Sequence, residues 1–155
     1  MNLLDLPDID HIRMMNAIAE AQKAAEEDEV PVGAVIYHGN ELIAKARNQR
    51  EKLQDPTAHA EILAITQAAL ALGSWRLTGC TLYVTLEPCP MCAGAIIQAR
   101  IPRVVWGADD PKAGAGGSVI DIFRCEKLNH HPEIRTNVLA ETASEILKSF
   151  FKNKR

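Results

Sequence analysis

No stretch of the 155-residue chain approaches the roughly 20 consecutive apolar residues that a membrane-spanning helix needs. The start, Met1-Asn2-Leu3-Leu4-Asp5, lacks a basic segment ahead of an apolar one, as an export signal would have. Both absences predict a soluble, cytoplasmic protein with no membrane partner. An excess of positive charge is also missing. The formal net charge of −3 excludes a surface that is basic all over, as indiscriminate nucleic-acid binders have, so any such contact must be local. Cysteines number only four, two of them in one short motif and the others, Cys80 and Cys125, in ordinary stretches; this fits a reducing compartment rather than a disulfide framework. The glycines of Ala108 to Ser118 follow neither the G-x-G-x-x-G nor the P-loop spacing, so that segment reads as a surface loop. Internal repeats and low-complexity tracts are absent as well.

What is there suits one domain, residues 1–155, with 47% hydrophobic and 24% charged residues. From about Asp10 to Glu27, Ile12, Met15, Ile18, Ala19 and Ala25 recur at helical spacing, with Asp8 or Asp10 as N-cap. The acids Glu26-Glu27-Asp28-Glu29 read as its solvated end. Pro31 then stops any helix before a strand, Val32 to Tyr37, which His38-Gly39-Asn40-Glu41 turns into a returning strand, Leu42 to Ala46. A helix from about Ala58 to the stop at Gly73 is apolar enough to be buried on more than one side. A strand over Thr81 to Leu86, a helix through Ile96, Ile97 and Ala99, and a strand over Arg103 to Gly107 form a crossover, which implies parallel pairing and helices on both sheet faces. Asn129-His130-His131-Pro132 is a turn with its histidines facing solvent. Glu133 to Val138 reads as a strand, and the last helix starts near Ala140.

The chemistry concentrates at Pro88-Cys89-Pro90-Met91-Cys92. Pro88 cannot continue the ladder of the strand before it, and Pro90 fits the first position of a helix, which leaves Cys89 near the N-cap. Three apart, Cys89 and Cys92 share one face of one turn, where unpaired N–H groups and the helix dipole favour the thiolate. The alternatives for the pair alone are a redox-active dithiol, the lesser of the readings, or two small buried hydrophobes. His59 extends the set, because Asp55-Pro56-Thr57 reads as a loop ending in an N-cap, with His59 in the first turn of the following helix. Three nitrogen and sulfur donors are one short of a closed structural zinc site, and an open position is the mark of a catalytic one. Glu61, two residues from His59 on a helix, should point elsewhere than at the ion as a ligand, and suits proton transfer instead.

His59-x-Glu61 followed by Pro88-Cys89-x-x-Cys92 is similar to the signature of zinc-dependent nucleobase deaminases. With Val30-Pro31-Val32-Gly33-Ala34, Asn48, Thr85 to Ala95 and Gly114-Ala115-Gly116-Gly117-Ser118, nearly the whole chain resembles the bacterial tRNA adenosine deaminases. The resemblance implies a three-layer α/β/α cytidine-deaminase-like fold around a mixed sheet of about five strands. It implies hydrolytic deamination of adenosine to inosine at wobble position 34 of a tRNA anticodon stem-loop, one Zn2+ per subunit on His59, Cys89 and Cys92, and Glu61 as the catalytic acid and base. It further implies a homodimer. Asn48 would orient the flipped base, with Val30, Ile36 and Ala60 around it and Asp110 and Lys112 at the rim, while Phe150 and Lys152 of the basic tail would meet the RNA. The family often has a basic residue before the rim aspartate, where this chain has Asp109. The competing readings are a guanine deaminase acting on the free base and, from another class, a structural zinc-binding interaction module. Which tRNAs are used is not written in the sequence.

Overall fold

A computed structural model describes residues 7–154, so the expectation placed on the N-terminal start lies outside the described residues. Five strands form one sheet in the order β2-β1-β3-β4-β5. Strand β1 (Gly33–His38) pairs antiparallel with β2 (Glu41–Arg47) and with β3 (Cys80–Leu86). Strand β3 pairs parallel with β4 (Arg103–Ala108), and β4 with β5 (Glu133–Arg135). The mixed sheet, the hairpin and the parallel crossover follow the sequence reading. Only the last strand is shorter than expected.

The strands alternate sides, as a sheet covered on both faces requires. Ala34, Ile36, Leu82, Val84, Val104 and Trp106 face α3 (Ala60–Leu72) and α4 (Pro90–Gln98). Val35, Tyr37, Tyr83 and Val105 face α1 (Ile9–Glu26) and α5 (Ala140–Asn153). A further single turn, α2 (Arg50–Leu53), breaks the polar stretch before α3 and is not announced by the sequence.

Helix α1 is capped by Asp8, whose carboxylate accepts the Asp10 N–H, but it buries a different face from the expected one. Met14, Ala17, Ile18, Ala21 and Ala24 point inward, whereas Ile12 and Met15 are exposed. The reason is close approach: a Cβ on Gly33 would collide with the backbone of Ala17 and Ala21, so only the alanine-rich stripe lets the helix settle on β1. Glu29 departs from the solvated reading too. It is 1% exposed, and its carboxylate accepts the N–H groups of Glu51 (3.0 Å) and Lys52 (2.8 Å) in α2. Helix α3 buries one side only, through Ala60, Glu61, Ala64 and Ala68, and leaves Leu70 79% exposed. His131 is exposed as expected, but half-buried His130 sets Nε2 2.6 Å from the Ile101 carbonyl oxygen.

Candidate active site

Two helices begin at the same place. His59 is the N-cap of α3 and Cys89 the N-cap of α4, both with extended backbone, and neither side chain caps its own helix. Sequence reasoning set His59 two residues too deep: the Thr57 hydroxyl bonds Asp55 Oδ1 at 2.7 Å, so Thr57 belongs to the loop and the helix starts at Ala60. Pro90 stands at the first helical position of α4, as expected. Freed from capping, His59 sets Nδ1 3.6 Å from Cys89 Sγ and 3.5 Å from Cys92 Sγ. Tetrahedral bonds of about 2.0–2.1 Å to nitrogen and 2.3 Å to sulfur separate their donors by roughly 3.6 Å. All three donor atoms lie within 4.8 Å of one another, so the set fits a zinc ion with one position open. Each of the four cysteines is a free thiol, Cys80 and Cys125 included.

The protons of this cluster are shared unevenly. A hydrogen bond from Cys92, then one from His59, holds the Cys89 thiol down to about 4 despite burial. Cys92 is driven up by the same hydrogen bond and by its own burial. His59 is raised, first through its hydrogen bond with Cys89. Glu61, buried in the first turn of α3, is pushed up to about 7 by desolvation, against the pull of its own backbone N–H and of His59. Because His59 precedes the helix instead of lying on it, the opposed directions expected for residues two apart do not apply. His59 and Glu61 line one cavity together.

That cavity holds about 220 Å³ and sits at the C-terminal end of β3. It falls below the roughly 300–1,000 Å³ of sites for drug-sized ligands, which suits one inserted base. Val30, Val32 and Asn48 form one wall, Ala60 and Glu61 the floor with His59 and Cys89, and Leu86, Glu87, Asp110 and Ala113 the other wall. The Asn48 amide is held at both ends, its Nδ2 donating to the Val30 carbonyl and its Oδ1 accepting the Arg50 N–H, each at 3.2 Å. Ile36 lies in the core and does not reach the cavity, because its position on β1 faces α3 and α4. Lys112 is exposed beyond the rim. Phe150 lines a second, open groove of about 910 Å³ that shares Val30, Asn48 and Arg50 with the cavity, while exposed Lys152 lines neither. Sequence reasoning missed Arg50 and Glu87. The one local signal for Glu87 is an acid set between a buried strand and a ligand turn.

The sequence model of the MafB19-like deaminases matches residues 9–155. A curated tRNA-specific adenosine deaminase of Bacillus subtilis is 50% identical over 94% of this chain and 91% of its own. Among solved structures, one from a study of A-to-I editing by tRNA:A34 deaminases at the wobble position superposes with a TM-score of 0.85 and 46% identity, covering 88% of this chain and 99% of that one. A Bacillus subtilis guanine deaminase structure also matches, at 37% identity and a TM-score of 0.61, over 70% of this chain and 66% of its own.

Proposed function

The chain is a MafB19-like deaminase and belongs with the tRNA-specific adenosine deaminases, and from that premise we propose that it hydrolyses adenosine to inosine at position 34 of a tRNA anticodon stem-loop. One observation carries the reading: His59, Cys89 and buried Glu61 line a cavity sized for a single base, with the Cys92 sulfur 3.5 Å from His59 Nδ1.

His59, Cys89 and Cys92 would hold one Zn2+. In such a site the ion supplies a water whose pKa falls from about 15.7 toward about 7. Glu61 takes one proton of the attacking water on its carboxylate and passes it to the ring nitrogen of the base, then takes the second from the hydroxyl now on C6 and delivers it to the departing nitrogen. The balance is one water consumed, its oxygen on C6, and one ammonia released. A carboxyl that burial brings to about 7 can both accept and return a proton at neutral pH. Val30, Val32 and Ala60 give the base apolar walls, and Asn48, fixed at both ends, orients it.

A flipped nucleotide leaves its neighbours outside. The open groove through Arg50, Phe150 and Lys154 continues from the cavity and provides a path for them, with Asp110 in the cavity lining at its edge. A free base has no use for such a groove, which favours tRNA over guanine as substrate. The apolar face of α3 and α4, with Leu70 and Trp75 exposed beside Ala69 and Ala95, is where a second copy would seat in a homodimer. No helix among the described residues is long and apolar enough to cross a membrane, in keeping with a cytoplasmic tRNA enzyme. The test is parallel incubation with an A34 stem-loop and with guanine. Inosine without xanthine supports the reading, and xanthine without inosine replaces it with guanine deamination.

A further inference from the structure

The segment Asp110 to Ser118, whose Asp110 and Ala113 line the cavity, belongs to none of the five strands. What holds it is Glu87. This side chain is 2% exposed, and its partners are three backbone N–H groups and one hydroxyl. Oε1 accepts the Asp110 N–H at 3.0 Å and the Ser118 hydroxyl; Oε2 accepts the N–H groups of Gly116 at 2.9 Å and Ser118 at 3.2 Å. A buried carboxylate without such donors would be costly, and with them it gathers both ends of the loop onto one point.

The loop is shaped to fit this anchor. A Cβ on Gly114 would run into the Glu87 carboxylate, and one on Gly116 into the Trp106 ring. The anchor is also tied to the ligand turn, because Glu87 precedes Pro88-Cys89 and the Ala115 N–H donates to the Pro88 carbonyl at 2.8 Å. Asp110 in turn closes a local turn, its Oδ1 accepting the Lys112 and Ala113 N–H groups at 3.0 and 3.3 Å.

We propose that Glu87 is a positioning residue: its two carboxylate oxygens fix the Asp110–Ser118 segment at a set distance from the Cys89 turn, so that Asp110 and Ala113 keep their place in the cavity lining against the inserted nucleotide. This rests on the reading of adenosine in tRNA as the substrate. A carboxylate is required because the donors approach both oxygens. Glutamine, of nearly the same size, must turn its NH2 group toward N–H donors on one side.

The test compares wild type, Glu87→Gln and Ser118→Ala for zinc content, amide hydrogen exchange over residues 110–118, and kcat and KM on an A34 stem-loop. Glu87→Gln is expected to keep its zinc, to exchange the loop amides roughly tenfold faster and to raise KM about tenfold. Its kcat is expected to change by less than about threefold, since the carboxylate acts on the wall that positions substrate and does not touch the reacting atoms. Ser118→Ala removes a single hydroxyl and carries the test if Glu87→Gln does not fold, with KM expected to rise about threefold or more. Unchanged exchange and KM in a folded variant would overturn the proposal alone, as would a fall in kcat with KM constant. A wild-type protein that yields no inosine would instead overturn the substrate reading, and the exchange measurement tells the two failures apart.

Discussion

His59 and Cys89 occupy the same N-cap position in two different helices, neither side chain caps its own helix, and the two meet Nδ1 to Sγ at 3.6 Å. An N-cap side chain that does not cap forgoes about 0.5–2 kcal/mol, so both helix starts give up their best local position to the ligand set. Cys89→Ala and Cys92→Ala each leave two donors, too few for a tetrahedral site. Both variants should drop from about one zinc per chain to almost none after dialysis, with activity lost in parallel. Elemental analysis showing full zinc in either variant would contradict the ligand set.

Glu61→Gln separates proton transfer from metal binding. The amide keeps the shape but cannot shuttle a proton, so zinc and fold should persist while kcat falls by ~10²- to 10⁴-fold. A folded variant that loses its zinc would make Glu61 a ligand instead.

The cysteine half of the candidate metal site was legible in the sequence because it is local, while His59 stands 30 residues from Cys89. Pro88 and Pro90 fix the turn around Cys89, and the spacing to Cys92 needs only one helical turn. The strand pattern was legible for the same reason, since alternation is written residue by residue. The buried face of α1 was not, because two stripes satisfy helical spacing and the choice between them is made by Gly33 on another element. Glu87 and Glu29 were hidden more deeply. Apart from the Ser118 hydroxyl, their partners are backbone N–H groups 22 to 31 residues away, which carry no side-chain signature.

Stability should depend on Asp10 in a pH-dependent way. Its buried carboxylate accepts hydrogen bonds from Arg103 on β4 (2.8 Å), from the Tyr83 hydroxyl on β3 (2.7 Å) and from Arg135 on β5 (2.7 Å), joining α1 to three strands. Arg103 above all holds its pKa far below the ordinary value. A depressed folded pKa contributes stability that is present above about pH 3.9 and is lost as pH falls from there toward the folded value. Asp10→Asn should therefore cost about 3 kcal/mol at pH 7, as breaking a buried pair does, and less at pH 3. Denaturant unfolding at the two pH values checks this, and a gap that does not change with pH would contradict it.

The tail should read phosphate. Lys154 lies beside Phe150, 5.4 Å from the ring centroid, at the groove that leads to the cavity, and Lys152 is exposed in the last turn of α5. Replacing Lys152 and Lys154 with alanine should weaken tRNA binding and lower the slope of log affinity against log salt by about 0.7 for each phosphate that is no longer neutralised. Zinc content should not change. Identical affinity and slope in the double variant would leave the tail a helix end only, and would strengthen the free-base reading.

The most direct measurement is nucleoside analysis of an anticodon stem-loop carrying adenosine 34 after incubation with the zinc-loaded protein. Conversion of that one adenosine to inosine, with release of one ammonia and no change at other adenosines, is the predicted result. An intact adenosine 34 under conditions where the same preparation deaminates guanine would contradict it.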